Sequence, residues 1–524
     1  MGDHDPRDQL RLGRQVTLQE RQDHEKIRRA KLPSKAWSVA LVAVLFLVGV
    51  GVAAAAALVP AFGVTAIAIG LLLALRVKIK ALALILVAAC LLGPSLEEGL
   101  GIDALTYVDE AASIFLGIIV PIGSKLFGRK IVRLPGQNLL LVTLGLGLVS
   151  SLLQGVGTAS FGQGAFLLMK MPLLAFGFAQ LPWNARDVER IARVIVGVVI
   201  PVVALSVVAN VYYGLDWIRA LSGSGGGGYV DYRYGLLSSQ GLFDHPLILG
   251  NVAGMLVMGA FATSAHLGHI RFARAATVVA FVASLASFRR TAIVGVLAAV
   301  FVAWPRKARG VLVVGSFILI PVALFVLASE IQETLTATLD EYVYTDAPAA
   351  RTRLLLGSFQ VASEHAPFGA GFARYGSYLA GVDYSPEYIK LGFDGVWGLS
   401  NMPGLSGAFL TDTQWPVLIG ETGWIGAAAF VGFLIAILRT FLSAGKRDEA
   451  HLQWISTFGR GALVVTAFAS IGLPVFTSTP IASLFYTIVG IGVALLSAAG
   501  AEPVKSLPRF GRRAKRTKVV TSGR

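Results

Sequence analysis

Apolar stretches long enough to cross a bilayer follow one another almost without pause along this chain. Fourteen can be read, at 38–59, 61–75, 81–96, 111–127, 136–154, 163–181, 191–213, 246–267, 273–288, 291–304, 310–329, 412–438, 454–473 and 481–499. Runs of this length and composition are the signature of transmembrane helices. The expected fold class is all-α: a polytopic integral membrane protein of about fourteen transmembrane helices, with a large extracytoplasmic loop before the last three spans. Hydrophobic residues make up 55% of the chain and charged residues only 14%. A soluble protein carries about a quarter of its residues charged, so one membrane domain is the economical reading.

Positive charge follows the same schedule. With the N-terminus inside, 35 of the 45 lysines and arginines fall in inside segments or in the span turn directly adjoining one, and two (Lys170, Arg460) fall deeper within spans. Eight lie outside: Arg219, Arg233, Arg289, Arg290, Arg351, Arg353, Arg374 and Lys390. This is the bias that membrane topology imposes. It also accounts for the formal charge of +15 without any nucleic-acid module. An even number of spans returns both basic tails, 1–36 and 501–524, to the cytoplasmic side of a 37–500 membrane domain. The first tail is too long and charged for a cleaved signal peptide, so the first span reads as a retained anchor. The C-terminal tail suits contact with anionic lipid. Cys90, the sole cysteine, reads as packing within a span.

Inside turns are short and basic, and the Pro60-Ala61-Phe62-Gly63 break reads as a hairpin between the first two spans. Two outside segments are long. The first, about 214–245, contains a Gly/Ser run at 222–228 that reads as a linker. The second, about 330–411, is rich in aromatics from Tyr342 and Tyr344 to Trp397, which argues for an ordered cap. Near its start, Leu354, Leu355, Phe359 and Ala362 are spaced for one helical face suited to the bilayer surface.

Seven of the eight outside cations are arginines, the side chain whose planar fork grips phosphate through two parallel hydrogen bonds. Arg289-Arg290 joins two short spans with almost no loop. That pattern places the pair in a cavity-lining turn with an anionic partner, or snorkelling to lipid phosphate. Arg233 directly precedes a span, and Arg351 and Arg353 open the cap; together they suit a diphosphate leaving group. Arg219, Arg374 and Lys390 read as surface charges. Asp412, where the cap meets the twelfth span, is a candidate general base and equally a helix N-cap. Glu421, deeper in that span, should face protein or water and pair with an arginine. His365 and His245 read as loop hydrogen-bonders. No metal-ligand spacing and no phosphate-binding glycine loop appears, so neither metal nor cofactor is expected.

Four stretches then carry a resemblance: Arg233 to Gly250, Ser287 to Thr291, Arg351 to Gly371 with its Pro-Phe-Gly-Ala-Gly, and Asp412 to Gly426 ending Glu-Thr-Gly-x-Ile-Gly. In this order, over the second half of the chain, they resemble the bacterial O-antigen ligase and O-antigen polymerase superfamily, membrane glycosyltransferases of the GT-C type. The resemblance implies a substrate, a glycan carried on polyprenyl (undecaprenyl) diphosphate at the outer face of the bacterial plasma membrane. It also implies transfer to an acceptor hydroxyl without metal, in surface polysaccharide biosynthesis. By position, Arg233, Arg290 and Arg351 would hold the diphosphate, with Arg289 and Arg353 beside them and Glu421 and His365 in support. The cap aromatics would stack on sugar rings. The ligases place a histidine where this chain has Asp412, and Asp-Thr-Gln-Trp is closer to the polymerase-type Asp-Asn-x-Tyr. A polymerase is therefore favoured over a ligase. The alternative is a precursor flippase or other secondary transporter, expected to carry charges on helices around a central cavity.

Overall fold

A computed structural model describes residues 79–100, 107–126, 128–214, 236–304, 350–402 and 409–500, with short pieces at 105, 232–233 and 407. The expected spans 38–59, 61–75 and 310–329, the hairpin between the first two, both tails, Arg219, Tyr342 and Tyr344 lie outside the described residues. Residues 83–524 make one compact unit; the preceding unit, 1–82, is described only for 79–82.

The described chain is helical apart from a two-residue antiparallel ladder, β1 Tyr232–Arg233 with β2 Leu236–Leu237. Helix α1 is Ile79–Leu100. Helix α2 runs Val108–Ile114, then a π-helical turn Phe115–Ile119, then Val120–Leu126. Next come α3 Gln137–Leu153, α4 Thr158–Ala179 and α5 Ala185–Tyr213, the last with a π-turn at Ile195–Val199. Both π-turns directly precede a proline-bearing helix start (Pro121, Pro201), where a missing N–H leaves the α-pattern short of a donor. After the ladder follow α6 Pro246–His266, α7 Ala273–Leu285 and α8 Arg290–Ala303. The cap supplies α9 Ala350–Glu364, α10 Tyr378–Val382 and α11 Pro386–Lys390. The chain then closes with α12 Gln414–Ala444, α13 Ala450–Ala469 and α14 Ile481–Ala498.

Five of these, α4, α5, α6, α12 and α14, are long and apolar enough to cross a membrane. The protein is a helical membrane protein. Not every expected span is long enough: α7 has 13 residues and α8 has 14. At 1.5 Å per residue either covers only about two-thirds of a hydrocarbon core of roughly 30 Å. Helix α5 starts six residues before its expected span, because Asn184 and Asp187 form a reciprocal capping box at 3.1 and 3.2 Å.

Helix α6 is buried along nearly its whole length, wrapped by α7, α8 and α13, while α12 packs on α3 and α14 on α4. Small residues make these approaches possible. A Cβ on Gly490 would meet the Ala175 carbonyl at 2.5 Å, and one on Gly254 would meet Val296 at 2.4 Å.

Antiparallel neighbours bring the helix starts α2, α4, α6, α8, α12 and α14 to one end, with the helix ends α3, α5, α7 and α13. Ser239 Oγ donates to Asn210 Oδ1 at the end of α5 (2.7 Å), and Gln414 N donates to Ser470 O after α13 (3.3 Å). Thr479 Oγ1 reaches Asp109 at the start of α2 (3.3 Å). The cap sits on this end. At the opposite end, exposed Arg129, Lys130, Arg133, Arg186, Arg190, Arg271, Arg274, Lys446 and Arg447 occupy the turns and the helix starts beside them.

Candidate functional site

The cap has a core of its own, and its aromatics fill it. Leu354, Val361, Tyr375, Tyr388, Phe393 and Leu399 pack together. Tyr375 donates its hydroxyl to Leu354 O (2.7 Å), and Tyr388 accepts from Gly376 N (2.7 Å). Phe372, Tyr375, Tyr388 and Phe393 are at most 4% exposed, so they cannot stack on sugar as the sequence led one to expect. Tyr378 and Trp397, 68% and 63% exposed, can. Helix α9 likewise departs from expectation. It buries Leu354, Gly357, Ser358, Val361 and Ala362 against protein, packing on α12, while Leu355 is exposed and Phe359 stacks on Trp424 at 5.2 Å. The packing, not bare apolar spacing, selected the buried face.

Two of the sequence stretches singled out above turn out to be partners. Helix α12 breaks at Gly423, whose φ of 67° and ψ of −178° are not helical. A break inside a spanning helix frees backbone carbonyls that lipid cannot satisfy. The loop 367–371 supplies the donors: Ala370 N binds Gly420 O (2.8 Å) and Gly371 N binds Glu421 O (3.0 Å). Phe372 then plugs the cap into the bundle, its ring against Gly147 of α3 and its Cβ against Gly164 of α4, while Ser151 Oγ accepts from its N–H (2.8 Å).

Glu421 sits at this break and is 2% exposed. No arginine side chain pairs with it among the described residues, contrary to expectation. Its Oε1 accepts instead from the backbone N–H of Arg374 (3.1 Å) and Tyr375 (3.3 Å) and from the Ser377 hydroxyl (2.6 Å). Three converging donors replace the water that a buried carboxylate loses. The Arg374 guanidinium turns away to Gln154 O (3.3 Å).

Asp412 is not the helix cap; that position belongs to Thr413. The Asp412 carboxylate instead holds Arg351, with Oδ2 2.6 Å from Nη2 and 3.1 Å from Nε. Arg351 also lies 4.9 Å over the Phe409 ring. Burial pushes the Asp412 carboxyl above the ordinary aspartate range, and the Arg351 guanidinium draws it part of the way back. Arg353 stands half-buried two residues along α9.

The other arginines collect at the same end of the bundle. Arg289 precedes α8 and Arg290 opens it; Arg289 is half-buried and Arg290 exposed. Arg233 lies on β1, and its side chain falls outside the described residues. The segment after that ladder docks on the arginine turn: Ser238 Oγ donates to Ser287 O (2.7 Å) and Ser239 N to Ala286 O (2.9 Å). His245 behaves as expected, accepting from Leu247 N at 3.1 Å to cap α6. His365 follows α9, with Nε2 3.4 Å from Glu387 Oε1.

What the sequence missed is a cavity of about 590 Å³ between the cap and α1, α2, α4 and α12, lined by Glu421, Asp109, Glu110, Lys170, Ser377 and Tyr378. Lys170 binds Asp109 at 2.7 Å and Glu110 at 3.0 Å. Asp109 and Glu110 precede the expected span 111–127, yet α2 begins at Val108 and carries them in its first turn. The available signal was Lys170 itself, since an ammonium inside an apolar helix demands counter-charge. No arginine lines this cavity among the described residues. No protein-family model matches the chain, and no curated protein matches it.

Proposed function

We propose that the chain is a membrane glycosyltransferase of the O-antigen polymerase and ligase type. It takes a glycan from polyprenyl diphosphate and passes it to an acceptor hydroxyl, as polymerase in preference to ligase. In this reading fourteen spans cross the bacterial plasma membrane, both termini are cytoplasmic, and the cap end faces outward. The observation that carries the reading is the Arg351–Asp412 pair at the bundle end that also holds Arg289, Arg290 and the Arg233 ladder. Asp412 takes the acceptor's proton as its oxygen attacks the anomeric carbon. The carbon–oxygen bond to diphosphate breaks, and the guanidiniums neutralise the departing charge. No redox or nucleotide cofactor enters this reaction.

The test is lipid-linked glycan length and surface polymer in cells. A strain lacking the protein accumulates single repeat units if it is a polymerase and full-length chains if it is a ligase. Arg290→Ala abolishes product while the protein stays in the membrane. Normal polymer in that variant sinks the reading.

One observation favours a second reading, a precursor flippase or other transporter: charged Lys170, Asp109 and Glu110 on helices around a cavity. A deletion strain separates the two. Precursor is trapped on the cytoplasmic face when a flippase is lost, and on the outer face when a transferase is lost.

A further inference from the structure

The turn that ends α9 comes against α11 through three groups that share metal-ligand chemistry. One ligand atom each from Glu364, His365 and Glu387 lies within 4.8 Å of the others. Glu387 is 5% exposed and the His365 side chain 15% exposed. His365 Nε2 is buried, lies 3.4 Å from the Glu387 carboxylate, and makes no hydrogen bond among the described residues. A buried ring nitrogen left without an aligned partner is costly, even beside carboxylate acceptors. The spacing is informative too. Metal–ligand bonds of about 2.1 Å at the tetrahedral angle set neighbouring ligand atoms about 3.4 Å apart, and His365 Nε2 to Glu387 Oε1 is 3.4 Å. Glu364 is exposed, its carboxylate accepts from Gln360 Nε2 (2.8 Å), and it already lies within 4.8 Å of the other two ligand atoms.

We propose that Glu364, His365 and Glu387 form a site for a first-row divalent cation of the Zn²⁺ type. Imidazole and carboxylate donors suit such ions, and three protein ligands leave a fourth position for water. The site is separate from the Arg351–Asp412 pair and does not rest on the proposed transferase activity. Its work is mechanical. It clamps the end of α9 to α11 directly beside the 367–371 loop that seals the break in α12.

One group competes for the place. Lys390 Nζ lies 2.9 and 3.2 Å from the two Glu387 oxygens and substitutes for the ion's charge. Its side chain is 58% exposed and can swing into water as the metal enters. Binding also requires neutral imidazole, so protons oppose it.

The experiment uses the purified full-length protein in detergent, stripped with chelator, and titrates Zn²⁺ with Mg²⁺ as control. One equivalent of Zn²⁺ is expected to bind and raise the thermal midpoint, with Mg²⁺ giving no comparable shift. Losing a second-shell partner alone weakens metal affinity about 10–100-fold, so loss of the imidazole in His365→Ala is expected to exceed about 100-fold. Lys390→Ala keeps every ligand and removes the competitor, so it is expected to bind more tightly than the natural protein. It also serves where His365→Ala fails to fold. Absence of stoichiometric Zn²⁺ binding overturns the proposal. So do equal shifts with Mg²⁺, unchanged affinity in His365→Ala, or weaker binding in Lys390→Ala.

Discussion

At Asp412 two neighbours pull one proton in opposite directions. Burial raises the carboxyl, the Arg351 guanidinium lowers it, and burial prevails. The folded chain therefore holds this proton more tightly than the unfolded chain, whose aspartate titrates near about 3.9. The protonated form favours folding at low pH. As pH climbs from the unfolded value through the folded one, that contribution is lost. The base is available only above the folded value, so the acidic limb of transfer rate against pH is expected above the ordinary aspartate range. Arg351→Ala removes the downward pull and is expected to move that limb higher still; rates in membrane vesicles across pH would show it. An unmoved limb would mean that Asp412 is not the titrating base. Asp412→Asn is expected to cost about 10²–10⁴-fold in rate in the same assay, the range of general-base catalysis.

At the scale of the element, the break in α12 is where the cap and the bundle become one piece. A Cβ on Gly423 would lie 2.6 Å from the Pro367 carbonyl and 2.9 Å from Gly369 N. Its φ of 67° with extended ψ is a region essentially confined to glycine. Gly423→Ala is therefore expected to lower stability by about 1–3 kcal/mol or more, read as a lower thermal midpoint in detergent. Phe372→Ala empties the socket between Gly147 and Gly164. It is expected to cost about 3–5 kcal/mol and to expose the cap to protease before the helices are cut. Persistent protease resistance of the cap in that variant would show that the plug does not hold it.

The described part of the 83–524 unit is polarised. The cap, the arginine segments and the cavity occupy one end, and exposed basic turns occupy the other. If this asymmetry sets the topology, single cysteines report it. Cys90 is 2% exposed, so Cys90→Ala offers a clean background. Tyr378→Cys on the cap is expected to react with an impermeant maleimide in intact cells, and Lys446→Cys only after permeabilisation. Reversal of that pattern would place the arginines on the cytoplasmic side and end the transferase proposal.

Local composition was enough for the helical membrane class. Apolar length and charge bias act residue by residue and need no partner. The same holds for a buried core in the described part of the cap, since so many aromatics in one segment must be buried somewhere. Which aromatics are buried, which face of α9 packs, and that Asp412 meets Arg351 instead of capping a helix all depend on contacts between distant segments. The same is true of Lys170 meeting Asp109 across 61 positions, and of His365 meeting Glu387. Close packing chooses such pairs, because a buried charge or broken backbone takes whichever donor the fold brings within reach. No spacing along the chain records that choice.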